Sequence, residues 1–168
     1  MPRRRGGAGT TQQIEDMSFA GKYLTFALAS EEYGLPVLKV REIIKMLDIT
    51  AVPQVPVHVK GVINLRGKVI PVVDLRLKFG MAPQDYTERT CIIVVEVALA
   101  SSKVMMGIVV DAVSDVLNIT DADTELTPEF GARVSTDYIS AMAKIKGQVK
   151  ILLDLDRVLG ADSAGLAA

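Results

Sequence analysis

The 168-residue sequence has no tryptophan, one histidine and one cysteine. A single cysteine excludes an intramolecular disulfide framework and gives no support to a secreted protein. A metal site needs three or four ligands, and neither His58 nor Cys91 has clustered carboxylates at ligand spacing. We therefore expect a soluble, cytoplasmic protein with no metal and no cofactor.

Long apolar runs and a net charge of one sign are also missing. The most apolar segment, CIIVVEVALA, contains Glu96 and is too short to cross a bilayer. The basic residues Arg3, Arg4 and Arg5 are not followed by an apolar run, so no signal peptide is predicted. With a formal net charge of −1, the chain has no overall field that would attract nucleic acid or an acidic membrane. We expect no nucleic-acid partner and no direct membrane insertion.

No motif for catalysis is present. There is no G-x-S-x-G elbow and no glycine-rich phosphate loop after a strand, and His58 lies in a proline-rich connector. Asp74 and Asp154 could suggest an acid–base pair, but each stands at the same kind of strand-to-helix junction, where a cap accepts amide hydrogen bonds. The sequence therefore predicts a protein that is not an enzyme.

The chain does contain one pattern written twice. Lys60–Gly80 reads KGVINLRGKVIPVVDLRLKFG, and Ser140–Gly160 reads SAMAKIKGQVKILLDLDRVLG. At a constant offset of eighty residues, the structurally important matches are Leu65 with Ile145, Gly67 with Gly147, Val69 with Val149, Asp74 with Asp154, and Gly80 with Gly160. Agreement at these positions, in one element order, indicates a duplicated β-unit.

Short strands separated by turn signals dominate both copies. Tyr23–Ala29 alternates, with Leu24, Phe26 and Leu28 on one face. Val37–Leu47 fits a helix or a strand equally well. One short helix per copy follows the aspartate cap. This arrangement predicts a mainly β protein of two small barrels that share a packed seam.

The predicted organisation is one duplicated domain between two tails. Residues 1–18 and 161–168 are rich in small and polar residues and are predicted to be disordered. The domain between them covers residues 19–160, with halves at about 19–86 and 87–160.

Arg66 is the difference between the two hairpin tips that folding does not readily explain. The turn needs Gly67, but it does not need Asn64 or a guanidinium. Arginine is enriched at protein interfaces, although a solvated turn residue is an equal alternative. Glu42, among the apolar residues of its segment, is either an ordinary exposed charge or the polar rim of a contact patch.

Four segments resemble, in order and spacing, the CheW family of chemotaxis coupling proteins. They are EEYGLPVLKVREI, VKGVINLRGKVIPVVDLRLKFG, GIVVDAVSDVL and STDYI, and the resemblance covers about Lys22 to Gly160. It implies two five-stranded β-barrels of the SH3 or OB type with short helices, in which elements can be exchanged between the two halves. It also implies a non-catalytic adaptor that links the cytoplasmic tips of chemoreceptors to the histidine kinase CheA in signalling arrays.

The resemblance also implies partner-binding residues in the first hairpin. Asn64, Arg66 and Gly67 match the family motif for kinase and receptor coupling, and Gly61 falls in the same region.

Further contact positions are implied outside the hairpin. Val40 and Glu42 match first-half contact positions. Their second-half counterparts, Val113 and Val116, would line the groove between the barrels that receives the receptor's helical tip. Plain core packing is the alternative role of these valines.

Two other functions remain open at this point. One is a paralogous coupling protein that serves another receptor–kinase pathway. The other is a double barrel that binds a small ligand.

Overall fold

The computed structural model describes residues 19–98, 102–125 and 136–167. Within these residues the strands are β1 Gly21–Leu28, β2 Glu31–Pro36, β3 Val40–Lys45, β4 Val59–Leu65, β5 Lys68–Asp74, β6 Cys91–Ala98, β7 Lys103–Val110, β8 Ala112–Ile119, β9 Thr124–Glu125, β10 Ile139–Ile145 and β11 Gln148–Leu153. The α-helices are α1 Leu75–Lys78 and α2 Leu155–Ala167, and one-turn 3-10 helices span Val37–Lys39, Asp121–Asp123 and Thr136–Tyr138. The predicted tail at 1–18 lies outside the described residues.

The strands form two sheets, which confirms the mainly β fold. The first sheet has the order β8-β1-β2-β11-β10-β9, and the second has the order β3-β6-β7-β5-β4. Each sheet takes strands from both halves of the duplication. The exchange is reciprocal: β5 of the first half runs parallel to β7, and β11 of the second half runs parallel to β2.

The duplicated hairpins have the same geometry. β4 pairs with β5, and β10 pairs with β11, with a register shift after the first pair in both cases. Arg66 and Gly67 at one tip have φ of 51° and 86°, and Lys146 and Gly147 at the other have 51° and 80°. Positive φ at both central residues is the pattern of a two-residue I′ turn, in which the second position favours glycine.

The outer strands of the second sheet are brought towards each other. Thr50, five residues after β3 ends, donates to the Val62 carbonyl at 2.8 Å and accepts from the Val62 N–H at 2.9 Å. Because β3 and β4 stand at opposite ends of the strand order, this bridge turns the sheet back on itself. Few edge hydrogen-bonding groups are then left open, as in a small barrel.

Three apolar clusters correspond to two sheet interiors and a seam between them. The largest draws on both sheets and includes a row of rings, Phe26, Tyr33, Phe79 and Tyr138, with successive centroids 5.8, 5.9 and 5.9 Å apart. The smaller clusters lie within single sheets: Ile63, Ile70, Val72, Ile92, Val94 and Val109 in the second, and Tyr23, Ile119, Ala141, Ala143 and Leu152 in the first. The shared cluster is the predicted seam.

The structure resolves the ambiguous segment after Pro36. Val37–Lys39 forms a single 3-10 turn, and Val40–Lys45 forms strand β3, which pairs with β6. The segment forms a strand because its neighbour β6 is buried over Ile92 to Val95 and needs hydrogen-bond partners for its backbone there.

The aspartate caps lie where the sequence predicts them. The Asp74 carboxylate accepts from the Leu77 N–H at 3.4 Å, and the Asp154 carboxylate accepts from the Arg157 N–H at 3.2 Å. Asp74 also accepts from the Tyr86 hydroxyl at 3.3 Å, and burial, followed by this carboxylate, raises the pKa of Tyr86 to about 12.

The C-terminal boundary is the main correction. Gly80 follows α1 with φ of 77°, as a helix stop should, but its counterpart Gly160 lies inside α2, which continues to Ala167. Within the predicted tail, Asp162 is buried and holds Lys78 and His58. The contacts of Asp162 with Lys78 and His58, which the sequence alone does not reveal, therefore stabilise the helix beyond Gly160.

Candidate partner-binding surface

Arg66 and Glu42, which the sequence suggests separately, form one ion pair. Arg66 Nη1 donates to Glu42 Oε2 at 3.0 Å, and Nη2 donates to the other carboxylate oxygen. The Arg66 side chain is 70% exposed and that of Glu42 is 31% exposed. Because the planar guanidinium matches the carboxylate fork, the pair fixes the orientation of both groups. It also connects the β4–β5 turn to β3, at the opposite end of the sheet.

Asn64 has a role in the turn itself. Its side-chain oxygen accepts a hydrogen bond from the Gly67 N–H at 2.9 Å. The expectation that the turn does not need Asn64 is therefore corrected by this hydrogen bond. A side chain that caps its own turn holds the tip in one conformation, so Asn64 also helps to present Arg66.

Gly61 is held by backbone crowding. Its φ is +141°, and a Cβ at this position would lie 2.0 Å from the Thr50 carbonyl oxygen. Only glycine permits this approach, which belongs to the bridge between Thr50 and Val62. The structure thus gives Gly61 a role in folding, whereas its contact with a partner stays a prediction.

The predicted valines fall into two groups. Val40 and Val113 are partly buried and pack against the large shared cluster. Val116, on the outer strand β8, is 57% exposed, and Ile43 at the matching place on β3 is 46% exposed. Val116 and Ile43 therefore present apolar side chains to solvent, whereas Val40 and Val113 pack against the buried cluster. Sequence spacing alone did not single out Ile43.

The second hairpin tip lacks the ion pair. Lys146 occupies the place of Arg66, and Asp115 occupies the place of Glu42. Instead, the Asp115 N–H donates to the Thr25 hydroxyl at 3.0 Å, and the Asp115 carbonyl accepts from that hydroxyl at 3.1 Å. Within the part of the chain that the structure describes, Lys146 forms no ion pair. The duplication therefore supplies two tips of equal backbone shape and different surface chemistry.

Comparison with known proteins identifies the family. A family model described as the CheW-like domain matches residues 22–163. The chain belongs to the CheW family. The match spans nearly the whole of the described structure and includes both hairpins and the bridge between Thr50 and Val62.

Individual CheW relatives are similar over most of their length. The chemotaxis protein CheW of Klebsiella aerogenes is 35% identical over 160 residues, which is 95% of this chain and 94% of that protein. The chemotaxis protein CheW of Rhizobium meliloti is 36% identical over 150 residues, with 84% and 94% covered. The crystal structure of the scaffolding protein TtCheW from Thermoanaerobacter tengcongensis superposes with a TM-score of 0.75 at 34% identity, covering 84% of this chain and 93% of that one.

Membership of the CheW family confirms the expected fold and the prediction of a non-catalytic chemotaxis protein. The described ranges contain no group of three or more histidine, cysteine, aspartate or glutamate side chains placed to hold a metal ion. None of the helices in the described ranges is both long enough and apolar enough to cross a bilayer.

The ion pair shifts the titration of both its members. The hydrogen bonds from Arg66 lower the pKa of Glu42 below its ordinary value of 4.5, and the same hydrogen bonds raise the pKa of Arg66. A lowered carboxyl pKa means that the folded state favours the ionised form. The stabilisation by the pair is therefore complete above the ordinary glutamate pKa and is lost as pH falls through the lowered value.

We predict that Arg66→Ala returns the pKa of Glu42 towards its ordinary value. The reason is that the substitution removes the largest cause of the shift while leaving the turn glycine in place. Carboxyl carbon chemical shifts followed by NMR across the acidic range measure this pKa directly. Lys146→Ala is the matched control and leaves it unchanged. An equal Glu42 pKa in the wild type and in Arg66→Ala would contradict the pairing.

Proposed function

We propose that this protein is a cytoplasmic adaptor that couples the tips of chemoreceptors to the histidine kinase CheA. The observation that carries the proposal is the exposed Arg66–Glu42 pair at the hairpin position that the family resemblance assigns to coupling. In support of this, the matching tip of the second copy adopts the same turn without such a pair, so the turn itself does not require it.

The chemistry of Arg66 suits a kinase contact. A guanidinium has five N–H donors in a fixed fork, and Glu42 takes two of them. The remaining donors on this largely exposed side chain are available to a partner's carboxylate or carbonyl oxygens. A partner that meets a pre-oriented arginine loses little side-chain freedom on binding, which favours an interface hot spot.

The outer strand β8 suits the receptor contact. Val116 presents its side chain to solvent, and Val113 on the same strand packs against the shared cluster. A helical receptor tip needs apolar contacts at helical spacing and few other features. We infer that Val116 touches the receptor, and that Val113 fixes the position of the strand.

Coupling requires that these contacts differ between the signalling states of the receptor, or that they hold the kinase in a geometry that differs between those states. Individual interfaces of this kind bury a small area, and the complexes have dissociation constants of about 1 μM. Many such contacts in one array act together through effective concentration, so a weak pairwise affinity is sufficient.

The test is a calorimetric titration of the protein into two partners from the same organism: the kinase regulatory domain and a soluble receptor-tip fragment. We expect dissociation constants of about 1 to 10 μM for both. Absence of heat at concentrations far above that range would overturn the proposal. Binding only to the regulatory domain of a kinase from another receptor pathway would instead assign the paralogous role.

A further inference from the structure

Helix α2 departs from the duplication. Its counterpart α1 is a four-residue turn that stops before Gly80, whereas α2 spans thirteen residues, Leu155–Ala167. Val158 and Leu159 bury its first turns in the shared cluster. Two carboxylates, Asp156 and Asp162, then bind side chains from the first half of the chain. Asp156 lies in the first turn of α2 and Asp162 lies in the extension past Gly160, so both parts of the helix contact the first half of the chain.

Asp156 holds the beginning of strand β3. Its two carboxylate oxygens accept from Lys39 Nζ at 3.2 and 3.1 Å, and Oδ1 also accepts from the Ala98 N–H at 2.9 Å. Lys39 ends the 3-10 turn that leads directly into Val40. The Asp156 side chain thus connects Lys39, the residue before β3, to Ala98, the last residue of β6.

Asp162 holds the beginning of strand β4. It accepts from Lys78 Nζ at 3.0 Å and from His58 Nε2 at 2.8 Å. The side chains of Asp162, Lys78 and His58 are 6%, 10% and 18% exposed. Lys78 Nζ also lies 5.6 Å from the centre of the Tyr138 ring. His58 immediately precedes Val59, the first residue of β4, so this cluster fixes the point where that strand begins.

Strands β3 and β4 carry Glu42 and lead to Arg66, but they are not hydrogen-bonded neighbours in the sheet. Their relative position depends on the three strands between them, on the bridge between Thr50 and Val62, on the ion pair itself and on the contacts that fix their starting points. We propose that α2 is a brace that fixes both starting points through Asp156 and Asp162. These two are positioning residues for the Arg66–Glu42 surface, which they do not touch.

This proposal rests on the proposed function only for its effect on binding, so its test has two readouts. Asp162→Asn and Asp156→Asn keep the size of each side chain and remove its charge. By hydrogen exchange we expect the amides of β3 and β4 to lose about tenfold in protection in each variant, while β7 remains unchanged. We also expect affinity for the kinase regulatory domain to fall about threefold to tenfold.

Arg157→Ala is the matched control, because Arg157 lies on the same helix, is 68% exposed and, among the residues that the structure describes, pairs only with Asp154, at 3.6 Å. It should change neither readout. If Asp162→Asn does not fold, Asp156→Asn and Lys39→Gln break the other contact from its two sides. Exchange that increases in α2 alone, with unchanged affinity, would overturn the brace. If the wild type binds no kinase domain, the proposed function fails, and hydrogen exchange still decides the brace.

Discussion

Replacing Arg66 by glutamate is expected to weaken binding to the kinase regulatory domain by about tenfold or more. The substitution reverses the charge at the exposed tip and places a second carboxylate beside Glu42, so both groups that a partner would meet become repulsive or disordered. Folding should be little affected, because the side chain is 70% exposed and the turn conformation depends on Asn64 and Gly67. Calorimetry measures the affinity, and thermal unfolding checks the fold.

Lys146→Glu is the matched control for this prediction. Lys146 has the same φ of 51° in an equivalent turn, and the substitution makes the same type of charge change on the second tip. We expect it to leave kinase binding within about twofold. Equal losses in the two variants would show that net charge, and not this surface, controls binding.

A charge exchange separates direct contact from internal pairing. Arg66→Glu combined with Glu42→Arg restores an ion pair between the same positions with reversed polarity. If Arg66 contacts the partner, the double variant stays weak. Full recovery of affinity would mean that only the internal pair matters.

Replacing Gly61 by alanine is expected to destabilise the protein by about 3 kcal/mol or more. The added Cβ would lie 2.0 Å from the Thr50 carbonyl oxygen, and the backbone φ of +141° is one that L-residues rarely adopt. The three nearest atoms all belong to the backbone of Thr50 and Ala51, so the clash cannot be relieved by moving a flexible side chain. Chemical denaturation should show a lower midpoint with an unchanged slope.

Gly147→Ala provides the comparison. It also has positive φ, +80°, but nothing lies within 4 Å of the added Cβ, so only the conformational cost of about 1 to 2 kcal/mol remains. The equivalent of Gly61 in the second copy is Ala141, so a Cβ is accommodated at that position, where the residue is fully buried. A Gly61→Ala variant as stable as Gly147→Ala would contradict the crowding. A stable variant that has lost partner binding would favour the contact role implied by the family.

Much of the fold follows from local patterns in the sequence. The turns at Arg66-Gly67 and Lys146-Gly147, together with the caps at Asp74 and Asp154, are short-range features. Each depends on backbone dihedral preferences or on hydrogen bonds that span three residues, so the residue types themselves predict it. The alternation of Leu24, Phe26 and Leu28 likewise correctly predicts one buried face of β1.

The same alternation missed the burial of the other face of β1. Tyr23 and Thr25 are also buried, because this face is covered too: Tyr23 belongs to the apolar cluster inside the first sheet, and the Thr25 hydroxyl donates to the Asp115 carbonyl. Periodicity states which residues share a face, but the number of faces that are covered depends on how the layers pack. The length of α2 was missed for a related reason: the partners of Asp162 lie 84 and 104 residues away in the chain.

The sequence by itself determined the duplication, the strand-rich class, the positions of the two hairpin turns and of the two aspartate caps, and the family. Only the tertiary structure decided that the halves exchange strands, that Glu42 meets Arg66 across 24 residues, and that Gly61 approaches Thr50. Local elements depend on neighbours in the chain, whose spacing is fixed by covalent geometry. Contacts between distant segments depend on which apolar faces pack together, and many pairings of these strands satisfy the same alternating pattern.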